Sequence, residues 1–504
     1  MVNHACKRSM VWWGLGSLVA FTIEVASAQG LPSQTPPPPP LTWQPCSDSP
    51  TRDCATLTVP LDYADLSKGY IDLPVARAPA TGQRIGTLIV HLGAQGSRLV
   101  PEITGPSFES RFSPELRARF DIVGVDHRGT TEGIVCLQSS TEQEQYWEAN
   151  HLARTFPQID QLLALESEFN EACGDNNQPM INHVFGASAV RDMEQLRRAM
   201  GVTTFSFFGR SYGTFIGHRY AQLYPGHLRA LALDAIVDRS VSDVQTLQES
   251  NLVLEDAWDG FKTWCQDPVN ACSMQGENID AVFDQLLAQA RANPIPAPTG
   301  HYTTRPVNDW ILVLTTKFVF VIAGELGHSV VDQLIREARN GDAATARNIY
   351  DEQTGGASGY PIGSSASRAI RCLDASWSQT LTNSNDVKAL AFASKWIAPR
   401  FGESSVFEVA TQCFDFPAAP VEPPPSPATV TGLPHALLVS GTRDPVTPLN
   451  GAVRMSQAIS GSRLLLRQGD RHLNYDRSAC VRQKVDRYLV DLTLPAAGTV
   501  CATD

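Results

Sequence analysis

Thr203 to Asp234 reads TTFSFFGRSYGTFIGHRYAQLYPGHLRALALD. TTFSFF has the length and aromatic content of a buried strand, and TFIGHRYAQLYP, Thr214 to Pro225, reads as a helix stopped by proline. LRALALDAI, Leu228 to Ile236, is the next strand. Between the first strand and the helix stands Gly209-Arg210-Ser211-Tyr212-Gly213. A serine hydroxyl is a weak nucleophile until a base comes within hydrogen-bond reach. On a tight strand-to-helix turn, small flanking residues let the backbone close, the hydroxyl stands clear, and the following N–H faces the atom under attack. Gly209 and Gly213 supply the small positions, so Ser211 is the candidate nucleophile and the Tyr212 N–H a candidate oxyanion donor.

The same alternation extends upstream. ATLTVPLDY, Ala55 to Tyr63, alternates like an edge strand. GTLIVHLGAQG, Gly86 to Gly96, and FDIVGVDHRGT, Phe120 to Thr130, are continuous apolar runs that end in glycine-containing turns, the pattern of strands covered on both faces. SAVRDMEQLRRAMG, Ser188 to Gly201, is an amphipathic helix with Val190, Met193, Leu196 and Met200 on one side. These units predict an α/β fold with a mostly parallel, doubly wound sheet. From about Ser240 to Pro425 the strand-turn-helix units give way to long helical stretches such as DWILVLTTKFVFVIAG and NDVKALAFASKWIA. Strands resume at HALLVSGTRD, His435 to Asp444, and SRLLLRQGDRH, Ser462 to His472. The expected organisation is a first core part at 43–239, a mostly helical lid insertion at 240–425 and a second core part at 426–504. PAAPVEPPPSPATVTG, Pro417 to Gly432, is the returning linker.

A serine nucleophile on such a turn needs an acid and a histidine later in the chain, each on a loop at the end of a late strand. Asp444 ends the strand HALLVSGTR, and His472 ends RLLLRQGDR. Both fall at the carboxyl ends of strands, where sites form in α/β sheets. Asp444 would fix the imidazole's tautomer and His472 would take the Ser211 proton. Asp470 and Asp476 are rival acids, but they crowd His472 in sequence and end no strand of their own. His91, His127, His183, His218, His227, His301, His328 and His435 lack the late-strand position. The second oxyanion donor is expected from HLGAQGSR, His91 to Arg98, the loop after the third core strand, at the Ala94 N–H, with Gly93 as its nearest competitor.

The ends and the composition say where such a protein works. His4, Lys7 and Arg8, the short apolar run Met10 to Ile23 and the small residues Ala26-Ser27-Ala28 read as a signal peptide, 1–28, cleaved after Ala28. A proline-rich arm, 29–42, follows, with Pro36 to Pro40 as an extended spacer. Cys6 leaves with the signal. Ten cysteines remain: Cys46, Cys54, Cys136, Cys173, Cys265, Cys272, Cys372, Cys413, Cys480 and Cys501. An even number in an exported chain reads as disulfides, and pairing of sequence neighbours gives five local loops, though the sequence does not fix the connectivity. No CxxC pair points to a metal site instead. The formal charge of −12 without any basic run argues against nucleic acid and anionic membrane surfaces as partners. No phosphate or dinucleotide fingerprint occurs, and serine acyl transfer needs no cofactor, so none is expected. Oligomeric state is left open.

Together these segments resemble the exported tripeptidyl-aminopeptidase-like serine hydrolases, relatives of the prolyl iminopeptidases. LTWQPC with DCATLTVPLDYA, FDIVGVDHRGT, FFGRSYGTFIGHRYAQLYP, LALDAIVD, AIRCLDA, CFDFP, LLVSGTRDPVTPLNGA and SACVRQKVDRYLVDLTLPAAGTVC carry the likeness over nearly the whole mature chain. The resemblance implies an α/β-hydrolase fold with a lid, and a triad at Ser211, Asp444 and His472. Two loops depart from the family pattern. The family's Asn-Pro-Gly-Gly-Pro-Gly is His91-Leu92-Gly93-Ala94-Gln95-Gly96 here, and its Gly-x-Gly-His-Gly is Gly469-Asp470-Arg471-His472-Leu473. The expected function is a secreted or periplasmic serine aminopeptidase that releases residues or short peptides from free N-termini. The alternative, opened by those departures, is an esterase, amidase or lactone hydrolase for a small molecule. An aminopeptidase needs a carboxylate for the substrate ammonium. Glu255, Asp256, Glu325, Asp332 and Asp374 are the lid candidates. The apolar lid helix from Trp310 to Ala323 would suit a small-molecule pocket or serve as core.

Overall fold

The computed structural model describes residues 35–131, 133–418, 429–433 and 435–503. The signal peptide, its cleavage site, the start of the proline-rich arm and most of the returning linker lie outside the described residues.

The sheet has ten strands in the order β1-β2-β3-β5-β4-β6-β7-β8-β9-β10. They are β1 Gln44–Pro45, β2 Asp53–Pro60, β3 Tyr70–Ala78, β4 Gly86–His91, β5 Phe120–Val125, β6 Phe205–Arg210, β7 Leu228–Asp234, β8 Ala436–Gly441, β9 Ser462–Arg467 and β10 Val500–Cys501. From β5 to β10 every neighbour is parallel, whereas β1, β2 and β3 join the sheet antiparallel. The central strands β6 and β8 are buried along their whole length, which is why they read as unbroken apolar runs.

One strand position differs from expectation. The alternating run after Ala55 is not the edge: β2 pairs on both sides, with β3 along its whole length and with the two-residue β1. The Cys46–Cys54 disulfide closes that short hairpin and holds β1 on as the outer strand. β3 alternates, with Ile71, Leu73 and Val75 on one face and Tyr70, Asp72 and Pro74 on the other, but a proline in its middle argues against a ladder strand, and it is absent from the expected elements.

Parallel strands place all their carboxyl ends on one rim. β6, β7, β8 and β9 are consecutive in the sheet, so the loops after them are neighbours there. Between β7 and β8 the described chain is helices and loops, with two isolated bridges, Ile295 to Val307 and Val430 to Ile459. The helix Asp309–Ala323 is the buried spine of this region, with Ile311, Leu312, Val313 and Phe320 almost fully covered. Its apolar character therefore serves packing. The helix Phe156–Asn176, from before β6, joins the same layer. The Asn170 amide donates to the carbonyls of Gln412 and Phe414, and buried Glu166 pairs with Arg368 at 2.6 Å.

The ten cysteines form five disulfides: Cys46–Cys54, Cys136–Cys173, Cys265–Cys272, Cys372–Cys413 and Cys480–Cys501. Such cross-links persist in an oxidising compartment.

Candidate active site

Ser211 sits between β6 and the helix Tyr212–Leu223 with φ 50° and ψ −123°. A left-handed φ at a non-glycine residue costs about 1–3 kcal/mol and persists only where the surroundings enforce it. Here they do. A methyl group on Gly209 would lie 2.4 Å from the Gly213 carbonyl oxygen, and one on Gly213 would lie 2.2 Å from the His91 carbonyl oxygen. Only glycine fits either place. The Ser211 N–H donates to the Asp234 carbonyl at 2.9 Å, and its own carbonyl accepts from the Thr214 hydroxyl at 2.6 Å.

The loops after β8 and β9 bring the other two residues to the serine. His472 Nε2 lies 3.0 Å from Ser211 Oγ, and His472 Nδ1 lies 2.9 Å from Asp444 Oδ2. A carboxylate only accepts, so Nδ1 carries the proton and Nε2 is free to accept from the serine hydroxyl. Asp444 is fully buried. Its oxygens are held by the Val446 N–H at 2.9 Å, the Thr447 N–H at 3.0 Å and the Thr447 hydroxyl at 2.9 Å. A buried carboxylate with four donors is fixed in place and stays a good acceptor for the imidazole.

The two rival acids point elsewhere. Asp476 pairs with Arg210 at 2.7 Å, and Asp470 accepts the Glu325 N–H at 3.1 Å, so it faces the helical region and not His472. The His472 N–H donates to the Val321 carbonyl at 3.1 Å, so the helix Asp309–Ala323 touches the loop that carries His472.

The glycine loop after β4 lies against the serine. A methyl group on Gly93 would come within 3.2 Å of Ser211 Cβ. Gly93, Ala94 and Gly96 all have positive φ, at 110°, 52° and 67°. The Ser97 hydroxyl bonds the Gly93 and Ala94 carbonyls and pins the turn. Among the described residues the N–H groups of Ala94 and Tyr212 donate to no other group, and that of Tyr212 is the first of its helix. His91 is buried with both ring nitrogens unpartnered. Burial and neighbouring His127 push its pKa down to about 3, and burial takes His127 to about 4. Both are neutral at ordinary pH and pack around the Tyr212 ring, at centroid distances of 5.7 and 6.2 Å. His218 is likewise buried on the helix after Ser211, its pKa lowered to about 4 chiefly by burial.

The five lid acids are scattered. Glu255 is taken up by the N–H groups of Arg400 and Phe401, and Asp332 by the N–H and hydroxyl of Ser273. Glu325 pairs with Arg443. Asp256 lines a cleft of about 420 Å³ together with Trp264, His328, Arg443 and Asp470. Asp374 stands at the end of the helix Ala366–Asp374 and accepts the Tyr212 hydroxyl at 2.6 Å and the Gly186 N–H at 2.8 Å. Burial raises its pKa. The same helix starts against the glycine loop, since a methyl group on Gly96 would touch Ala366 at 3.2 Å.

Residues 86–278 match the alpha/beta hydrolase fold family, and residues 398–501 match the TAP-like protein family. The chain has the α/β-hydrolase fold. Its relatives among curated proteins include serine protease Hip1 of Mycobacterium tuberculosis, 25% identical over 99% of this chain and 98% of that one. Tripeptidyl aminopeptidase of Streptomyces lividans is 26% identical over 89% of this chain and 83% of its own. Carboxylesterase B of Mycobacterium tuberculosis is 27% identical over 97% and 96%. The hydrolase is an enzyme of the serine hydrolase class. Beyond its three loop residues, sequence reasoning missed Thr447, Ser97, the Arg210–Asp476 pair and Asp234. Asp234 carried a signal like that of Asp444, an acid at the carboxyl end of a parallel strand: it is the last residue of β7, and Asp444 lies three residues beyond β8.

Proposed function

We propose that this hydrolase is an exported serine aminopeptidase in which Ser211 is the nucleophile, His472 the base and Asp444 the acid that orients it. The observation that carries this reading is the unbroken chain from Ser211 Oγ to His472 Nε2 and from His472 Nδ1 to Asp444 Oδ2. In the first step His472 takes the hydroxyl proton as Ser211 Oγ attacks the carbonyl carbon. The oxyanion forms against the N–H groups of Ala94 and Tyr212. The C–N bond then breaks, the leaving amine takes the proton from His472, and an acyl-serine remains. Water, deprotonated by the same imidazole, releases the acyl product and restores the serine. Asp444 stays ionised throughout and stabilises the imidazolium.

Release from a free N-terminus is favoured by the relation to a tripeptidyl aminopeptidase and by Asp374, a lid carboxylate that touches the residue next to the nucleophile. Export is supported by the N-terminal sequence and the five disulfides. A second reading, hydrolysis of a small ester or amide, is favoured by the relation to a carboxylesterase and by the altered glycine loop. Peptide anilides of one to three residues, with free and with acetylated N-termini, separate the two, with Ser211→Ala as control. Cleavage confined to free amines is expected, and the preferred length identifies the product. Ester hydrolysis that depends on Ser211, without any anilide cleavage, would overturn the aminopeptidase.

A further inference from the structure

Asp234 has no place in the acyl-transfer steps, yet it touches both halves of the machinery. It is the last residue of β7 and is fully buried. Its main-chain carbonyl accepts the Ser211 N–H at 2.9 Å. Its side chain reaches the histidine loop: Oδ2 accepts the N–H of Asn474 at 3.0 Å and of Tyr475 at 2.9 Å, and Oδ1 accepts the Asn474 amide at 2.8 Å. Asn474 Oδ1 in turn accepts Arg467 Nε at 2.8 Å, and Arg467 also donates to the Arg471 carbonyl at 3.1 Å. The loop carrying His472 is thus bonded at residues 471, 474 and 475 to a buried network whose anchor also holds the nucleophile.

The backbone explains why such an anchor is needed. Ser211, Ala235 and Leu473 all have left-handed φ, at 50°, 64° and 70°. Each is bonded to Asp234 or sits beside it or beside Asn474. In the family pattern the residue after the histidine is glycine, for which a positive φ is free of strain. This chain has Leu473 there, so the bend behind the base must be enforced from outside. We propose that Asp234 is the positioning residue that does so, holding His472 Nε2 in line with Ser211 Oγ against the strain at Leu473. The inference rests on the triad reading above.

The test uses the full mature chain and the best substrate found among the anilides and esters. Asp234→Asn is expected to lower kcat about 30-fold or more with KM changed less than about threefold, because it misplaces the base and not the substrate. Asp234→Asn combined with Leu473→Gly is expected to recover about fivefold or more of that loss, a coupling that independent sites would not give. Asn474→Ala, which removes one of the three donors and leaves both backbone N–H groups, is expected to lower kcat about fivefold, and it carries the test if Asp234→Asn does not fold. Wild-type kcat in Asp234→Asn, or a loss untouched by Leu473→Gly, would overturn the positioning role while Ser211→Ala remains inactive. Activity retained in Ser211→Ala would overturn the triad reading itself.

Discussion

Asp486 is a buried carboxyl whose Oδ1 accepts the Tyr475 hydroxyl at 2.7 Å, one step behind the loop that carries His472. Burial pushes its pKa from 3.8 up to about 6. A raised acid binds its proton more tightly in the folded state. Its contribution is therefore most favourable below pH 3.8 and is lost as pH rises through about 6. Asp486→Asn keeps an acceptor for Tyr475 and removes the charge. It is expected to raise unfolding stability by about 1–3 kcal/mol at pH 8 and to change it little near pH 4, as read by denaturant titration at the two pH values. Single residues of the site could be read from the sequence when a strand end announced them, as for Ser211, Asp444 and His472. Asp234 ends a strand in the same way. It escaped because its partners, Asn474 and Tyr475, are more than 200 residues distant, and no local pattern marks a hydrogen bond across that separation. The partners of Asp470 and Asp476 were hidden for the same reason.

Among the elements, the helix Ala366–Asp374 links most parts of the site. It starts on the glycine loop, ends on the Tyr212 hydroxyl, and is cross-linked through Cys372 to Cys413. Arg368 on it is buried against Glu166 and donates to the Tyr146 hydroxyl at 2.8 Å. Removing the cross-link, with a sequence separation of 41, frees the unfolded chain more than the native one. Cys372→Ser with Cys413→Ser is expected to cost about 3–4 kcal/mol in denaturant unfolding. It should also depress activity at temperatures where wild type is unaffected, because Asp374 is two residues away. Elements built on one period could be anticipated: β4, β5, β6 and the helix after Ser211 are apolar runs or stripes bounded by glycine or proline. β3 and β1 could not, since Pro74 in the middle of the first argues against a ladder strand and two residues are too few to show a period in the second. The lid helices were visible as helices, but their arrangement over the sheet depends on long-range pairs such as Glu166–Arg368.

At the scale of the molecule, burial lowers the pKa of five histidines among the described residues, His91, His127, His183, His218 and His328, and takes three of them far below ordinary pH. The pKa values of His91, His127 and His218 are lowered to about 3, 4 and 4, chiefly by burial, from 6.5. A lowered histidine leaves the native state neutral while the unfolded chain takes up the proton. The stability they contribute is complete above pH 6.5 and falls as pH drops toward 4, by up to about 1.4 kcal/mol per pH unit for each. Asp486 gives back one such proton between about 6 and 3.8. The net expectation is a protein that loses stability steadily from pH 6.5 to pH 4.5, checked by thermal unfolding across that range. A triple variant with His91, His127 and His218 replaced by asparagine or glutamine that still folds should show a much flatter profile.

The disulfides divide the molecule in a way its function does not. Four of them close within residues 46–413 and the fifth within 480–501, so none joins the strands before the lid to those after it. Ser211 belongs to the first part, Asp444 and His472 to the second. A protease that cut once between Cys413 and Ala436 would leave two fragments, each with its cross-links whole, held together without a covalent bond by the β7–β8 pairing, the Asp234 bonds, ion pairs such as Arg210–Asp476 and Arg454–Glu249, and the packed interior. Denaturant without any reducing agent would then separate Ser211 from His472, and mixing the two pieces would be the route by which their contact returned.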